Sequence, residues 1–84
     1  MVQVLYFAWL RERAGRAEEH LDLPPGVVTV AGLAAWLQAR DAAGAAVFAD
    51  LGVIRAAVNQ VFAAPDAPVV DGDEVAFFPP VTGG

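Results

Sequence analysis

Apolar and polar positions follow two different periods along this chain, and the switches between them divide it into elements. Val2 to Trp9 is rich in β-branched and aromatic side chains and predicts a strand. Leu10 to Gly15 has room for one helical turn closed by Gly15. Ala17 to Leu23 predicts a second, shorter strand with Glu18 and Glu19 exposed near its start. Pro24-Pro25-Gly26 punctuates its end as a turn, so the first two strands are expected to form a hairpin.

The period then changes. Thr29 stands where an N-cap belongs, and Val30, Leu33, Ala34 and Leu37 recur at the i, i+3, i+4, i+7 spacing of one helix face. This predicts an amphipathic helix from Val30 to Arg40, with Trp36 at the edge of its stripe. Asp41 to Leu51, alanine-rich around Gly44, reads as a loop or a second short helix. Val53 to Val58 returns to strand character, Asn59-Gln60 forms a turn, and Val61 to Ala63 is the short partner strand. Pro65 to Val70 is irregular, and Asp71-Gly72-Asp73 is a tight turn. Glu74 to Phe78 is the last strand, ended by Pro79-Pro80 because proline cannot donate to a sheet ladder. The order predicts an α+β domain, a mixed sheet of four or five strands packed on one main helix. Its body is expected to span residues 1–78, with 79–84 an extended tail.

Strand alternation assigns the sheet two faces. Val4, Tyr6 and Ala8 share one face with Val75 and Phe77. Gln3, Leu5, Phe7 and Trp9 share the other with Glu74, Ala76 and Phe78, and Phe62 has the parity of Gln60. The face marked by Gln3 and Glu74 is expected to point away from the helix, yet Phe7, Phe62 and Phe78 fall on it. An apolar patch of this kind marks a protein contact surface; a register slip of one residue would reverse the assignment.

Composition narrows the chemistry. At 84 residues, 57% apolar, the chain makes one small core. It has no cysteine, hence no disulfide and no thiolate metal site, in keeping with a reducing cytoplasm. The apolar opening lacks a basic leader and runs directly into Arg11-Glu12-Arg13, which argues against a signal peptide. No apolar run is long enough for a membrane span. The net charge is −5 and there is no lysine, which argues against nucleic-acid binding and favours basic partners. His20 stands alone, without a cysteine or second histidine to make a catalytic pair, and reads as a surface strand residue. Asp71, Asp73 and Glu74 lack EF-hand spacing and read as turn chemistry, so no metal site is expected.

What remains is the end of the chain. Pro79-Pro80 stiffens the exit from the strand that carries Phe78, and Val81-Thr82-Gly83-Gly84 completes a thin arm. Glycine has no Cβ, so Gly83 and Gly84 can pass close to another backbone. An aromatic anchor, a stiff spacer and a narrow tip suit insertion into a partner's deep pocket, and the reactive group is then the Gly84 carboxylate.

The chain resembles the small subunits of molybdopterin synthases, ubiquitin-like β-grasp sulfur carriers. The resemblance runs over the whole length. It is carried by the opening Val-Leu-Tyr-Phe-Ala, the Arg-Glu-Arg-Ala-Gly segment, Thr29-Val30, Ala57-Val58-Asn59-Gln60, and above all the block from Asp71 to Gly84. It implies that an activating enzyme of the ubiquitin-activating type adenylates the Gly84 carboxylate with MgATP, and that sulfur transfer makes a thiocarboxylate. The charged carrier then donates sulfur to cyclic pyranopterin monophosphate on the large synthase subunit, and two rounds build the molybdopterin dithiolene. It implies a cytoplasmic heterotetramer with large subunits at the centre and a carrier at each end. The carrier would bind no cofactor of its own and would not be an enzyme by itself, the catalytic residues lying on the large subunit. Phe7, Phe62 and Phe78 match the family's contact surface. Carriers for thiamine synthesis or tRNA thiolation, and ubiquitin-like protein modifiers, are the alternative readings of a diglycine end.

Overall fold

A computed structural model describes residues 1–80. Five strands form one sheet in the order β2-β1-β5-β3-β4. They are β1 (Val2–Tyr6), β2 (Glu18–Leu21), β3 (Arg55–Val58), β4 (Val61–Ala63) and β5 (Glu74–Phe78). β1 and β5 run parallel at the centre, and the other pairings are antiparallel, which is the mixed sheet the sequence predicts. Three helices accompany it: α1 (Trp9–Ala14), α2 (Val30–Arg40) and α3 (Ala42–Val47), with a 3₁₀ turn at Leu51–Val53.

α2 begins where the N-cap argument places it. Thr29 is extended, and its hydroxyl accepts from the Gly32 N–H at 3.0 Å. The Val30 and Ala31 amides donate to the carbonyls of Ala67 and Pro65, so the helix start has no free donor left for a ligand. Val30, Leu33, Ala34 and Leu37 are buried as one stripe against the sheet. Val2, Val4, Tyr6, Val75 and Phe77 meet them from the sheet's inner face, and Phe48 closes the core edge-to-face on Phe77 with centroids 5.0 Å apart. Trp36 lies half-buried at the stripe's edge, under Arg40.

Three strand boundaries differ from the sequence reading, and one open choice is settled. The first strand stops at Tyr6 rather than Trp9, because Ala8 takes a positive φ of 55° and turns the chain into α1. Ala8 and Trp9 therefore leave the sheet faces that parity assigned them; Trp9 stacks under the Arg13 guanidinium instead. The second strand is shorter, Glu18–Leu21. The 3₁₀ turn consumes the expected start of β3 at Val53 and Ile54. The open choice at residues 41–51 resolves as α3, whose N-cap Asp41 accepts from the Gly44 N–H at 2.7 Å. Gly44 is there because α3 lies against α2: a Cβ at this position would run into the Leu37 carbonyl.

Candidate functional site: an aromatic face beside the chain's exit

Register places the predicted patch. On the outer face, Leu5 of β1, Ala76 of β5, Ala57 of β3 and Phe62 of β4 form one row across the sheet. Phe78 lies in the next row, opposite Arg55. Because Ala57 and Ala76 are small, the Phe62 ring can lean across β3. Its centroid is 5.8 Å from that of Phe78, a tilted pair spanning three strands. Phe7 lies one residue past β1, on the far side of β5, with its amide donating to the Phe77 carbonyl. Phe7 is 49% and Phe62 79% exposed, and Phe78 is half-buried. All three predicted phenylalanines are thus at the same end of one face.

The other end of that face is polar. Gln3 pairs with His20 and Glu74, and its side-chain amide donates to Glu18 at 2.7 Å. His20 is an exposed strand residue, as expected. The Asp71–Asp73 turn is structural: Asp73 accepts from the Val70 N–H and the Asn59 amide, which holds its carboxyl below the usual range. Among the described residues no acidic or histidine cluster can hold a metal ion. No helix among them is long and apolar enough to cross a membrane.

Parallel β1 and β5 both point toward the aromatic end, so Pro79 and Pro80 leave the sheet beside Phe78 and Phe7. The predicted insertion and reactive residues Val81, Thr82, Gly83 and Gly84 lie outside the described residues.

The positive φ at Ala8 bears on this site. A non-glycine residue held there costs about 1–3 kcal/mol, and such strain concentrates where function fixes the backbone. Here it ends β1 after Phe7 and starts α1.

Sequence reasoning placed Glu19 in solvent, and the structure corrects this. Glu19 pairs with Val4 on the inner face and its side chain is only 9% exposed. Arg40 grips both carboxylate oxygens at 2.7 and 2.9 Å, and the Tyr6 hydroxyl donates to it at 2.7 Å. The Arg40 hydrogen bonds hold the Glu19 carboxyl below the usual range, while burial first, then Glu19, pushes the Tyr6 phenol up. The missed signal was strand alternation itself, which gives Glu19 the parity of Leu21. This clamp ties β2, β1 and the end of α2 together on the side of the sheet away from the aromatic patch.

Comparison with known proteins agrees with the fold. The ThiS family profile matches residues 4–84. The molybdopterin synthase sulfur carrier subunit of Escherichia coli strain K12 is 45% identical over 86 residues, covering all of both chains. Small archaeal modifier protein 1 of Haloferax volcanii superposes with a TM-score of 0.76 at 31% identity, covering 95% of this chain and 97% of that one. Subunit 1 or 2 of the molybdopterin-converting factor of Helicobacter pylori, solved as their complex, matches with a TM-score of 0.64 at 26% identity over 99% of this chain and 97% of that one. With a β-grasp sheet, an aromatic outer face and full-length similarity to sulfur carrier subunits, the chain belongs to the ThiS family.

Proposed function

We propose that this chain is the sulfur carrier of a molybdopterin synthase and works through the Gly84 carboxylate. The observation that carries the reading is the convergence of Phe7, Phe62 and Phe78 at the end of the sheet from which Pro79-Pro80 departs. The 45% identity to a named carrier subunit supports it. Residues 1–78 supply the docking body and 79–84 the arm.

A carboxylate is a poor electrophile. Adenylation by an activating enzyme using MgATP gives Gly84 an AMP leaving group and releases pyrophosphate. A sulfur nucleophile then displaces AMP, leaving a thiocarboxylate. On the large synthase subunit that sulfur passes to cyclic pyranopterin monophosphate, and a second round completes the dithiolene. The carrier holds neither the nucleotide nor the catalytic groups; the aromatic face supplies docking affinity, and the stiff prolines reduce the ordering entropy of insertion. The setting is the cytoplasm.

Intact-mass spectrometry tests the chemistry. Incubation with activating enzyme, MgATP and a sulfur source should exchange one oxygen at Gly84 for sulfur. An unchanged mass in a system that charges the E. coli carrier would defeat the proposal. The likeness to a small archaeal modifier supports a second reading, protein conjugation. Isopeptide adducts of Gly84 on target lysines, without pterin sulfuration, would establish it.

A further inference from the structure

The two sides of the sheet end differently. The β2 edge carries Glu18 and Glu19 and is tied down by Arg40. The β4 edge carries only Val61, Phe62 and Ala63, with no charge and no proline. Edge strands of soluble proteins are blunted by charge, proline or a cover, because their free N–H and C=O groups template pairing with another chain.

The hydrogen-bond directions at this edge follow from the turn. Asn59 and Gln60 have φ of 50° and 69°, the two positive values of a two-residue type I′ connection. Its closing pair, Val58 and Val61, is hydrogen-bonded, and the Asn59 N–H points the opposite way, to the Glu74 carbonyl at 2.8 Å. By alternation, Val61 and Ala63 turn their backbone groups toward β3, while Phe62 turns its N–H and C=O out of the sheet.

We propose that β4 pairs antiparallel with β4 of a second copy, about a two-fold axis at Phe62. Each Phe62 N–H then donates to the Phe62 carbonyl of the other copy, and the two rings lie side by side on the outer face. Val61 of one copy falls opposite Ala63 of the other. Val61 is 68% exposed, on the inner-face side. Ala63 belongs to the wall of an apolar groove of about 450 Å³ between α2 and β3, lined also by Ala31, Ala34, Leu51, Ile54 and Pro65. So the exposed valine of each copy faces Ala63 of the other, at the rim of a groove whose wall also includes Arg55 and Phe77.

The choice of a second copy rests on this self-complementarity, which an isologous contact requires. The central residue offers both a donor and an acceptor, the large flanking residue meets the small one, and the strand adds no charge to the encounter of two chains of net charge −5. The pairing ends at Ala64, whose carbonyl accepts from the Ala67 N–H at 3.0 Å in the turn that follows β4, and the acidic β2 edge stops further addition. The product is a closed dimer, weak because three-residue strands bury less than a standard interface. It covers Phe62. If the proposed function holds, dimer and synthase complex are therefore mutually exclusive; the pairing itself does not depend on that reading.

Sedimentation velocity on the full chain between about 10 μM and about 1 mM spans the range of a weak association. The mass should climb from 8.8 kDa toward twice that value. Hydrogen exchange of the Phe62 amide should slow with concentration, whereas Val61 and Ala63, already bonded to β3, should not change. Val61→Glu and Ala63→Glu should remain monomeric, and Phe7→Asp should still dimerise. A constant monomer mass would overturn the proposal. So would association lost in Phe7→Asp but kept in Val61→Glu, which would indicate stacking of the aromatic faces, or Phe62 protection that arises only on adding a synthase large subunit. If both β4 variants unfold, the wild-type Phe62 exchange decides alone.

Discussion

The two edges of one sheet use opposite physics. On the β2 side, a carboxylate is drawn under Arg40 and Tyr6, and every polar group of the clamp has a partner. On the β4 side, Phe62 and Val61 stand in water and a groove opens under the strand. Burial of matched polar groups fixes the fold on one side, and exposure of apolar surface leaves the other free to bind. The lesson is that a small domain can separate the residues that stabilise it from those that recognise partners, because the parallel centre β1–β5 is buried and serves both.

Substitutions on the two sides should therefore separate stability from binding. The largest loss of stability is expected at Gly44, beside the clamp, where an added Cβ would meet the Leu37 carbonyl. Gly44→Ala should cost about 3–4 kcal/mol, above the common range for single substitutions, without changing partner affinity per folded molecule. Denaturant melts combined with calorimetry check this. Phe78→Asp should do the reverse. It should weaken large-subunit binding by about 2 kcal/mol or more, since a charge would be desolvated at the contact. Unchanged affinity by calorimetry would remove Phe78 from the docking face.

Glu19→Gln should cost about 1–2 kcal/mol at neutral pH through loss of charge-assisted hydrogen bonds. Its pH dependence has a fixed sign. The folded pKa lies below the unfolded value, so the wild-type advantage is fully present above about pH 4.3 and fades as pH falls through the folded pKa. Urea melts of both proteins across the acid range should converge at the low end; parallel curves would mean that Glu19 acts by packing alone. Smallest of all, Phe62→Ala should change the stability of the dilute monomer by no more than about 0.5 kcal/mol, as at other exposed positions. A larger loss would show that the aromatic pair with Phe78 stabilises the fold.

Much of this was legible from residue order. Thr29 and the Val30-Leu33-Ala34-Leu37 stripe define α2 because capping and amphipathic spacing are local properties. Strand parity put Phe7, Phe62 and Phe78 on one face because alternation survives small errors in strand ends. The same alternation, applied to Glu19, would have found the clamp; the charge of the residue outweighed its position. Trp9 was misplaced because the positive φ at Ala8 has no signal in an alanine.

The sequence by itself determined the α+β order, the aromatic face and the glycine-tipped terminus, since these depend on short-range spacing and on residue chemistry. Only the tertiary structure decided which strands neighbour one another, and hence that Phe62 reaches Phe78 across Ala57, that Arg40 closes over Glu19 twenty-one positions earlier, and that β4, paired with β3, stands at the edge of the sheet among the described residues. Those outcomes depend on contacts between residues distant in the chain, which local propensity does not encode.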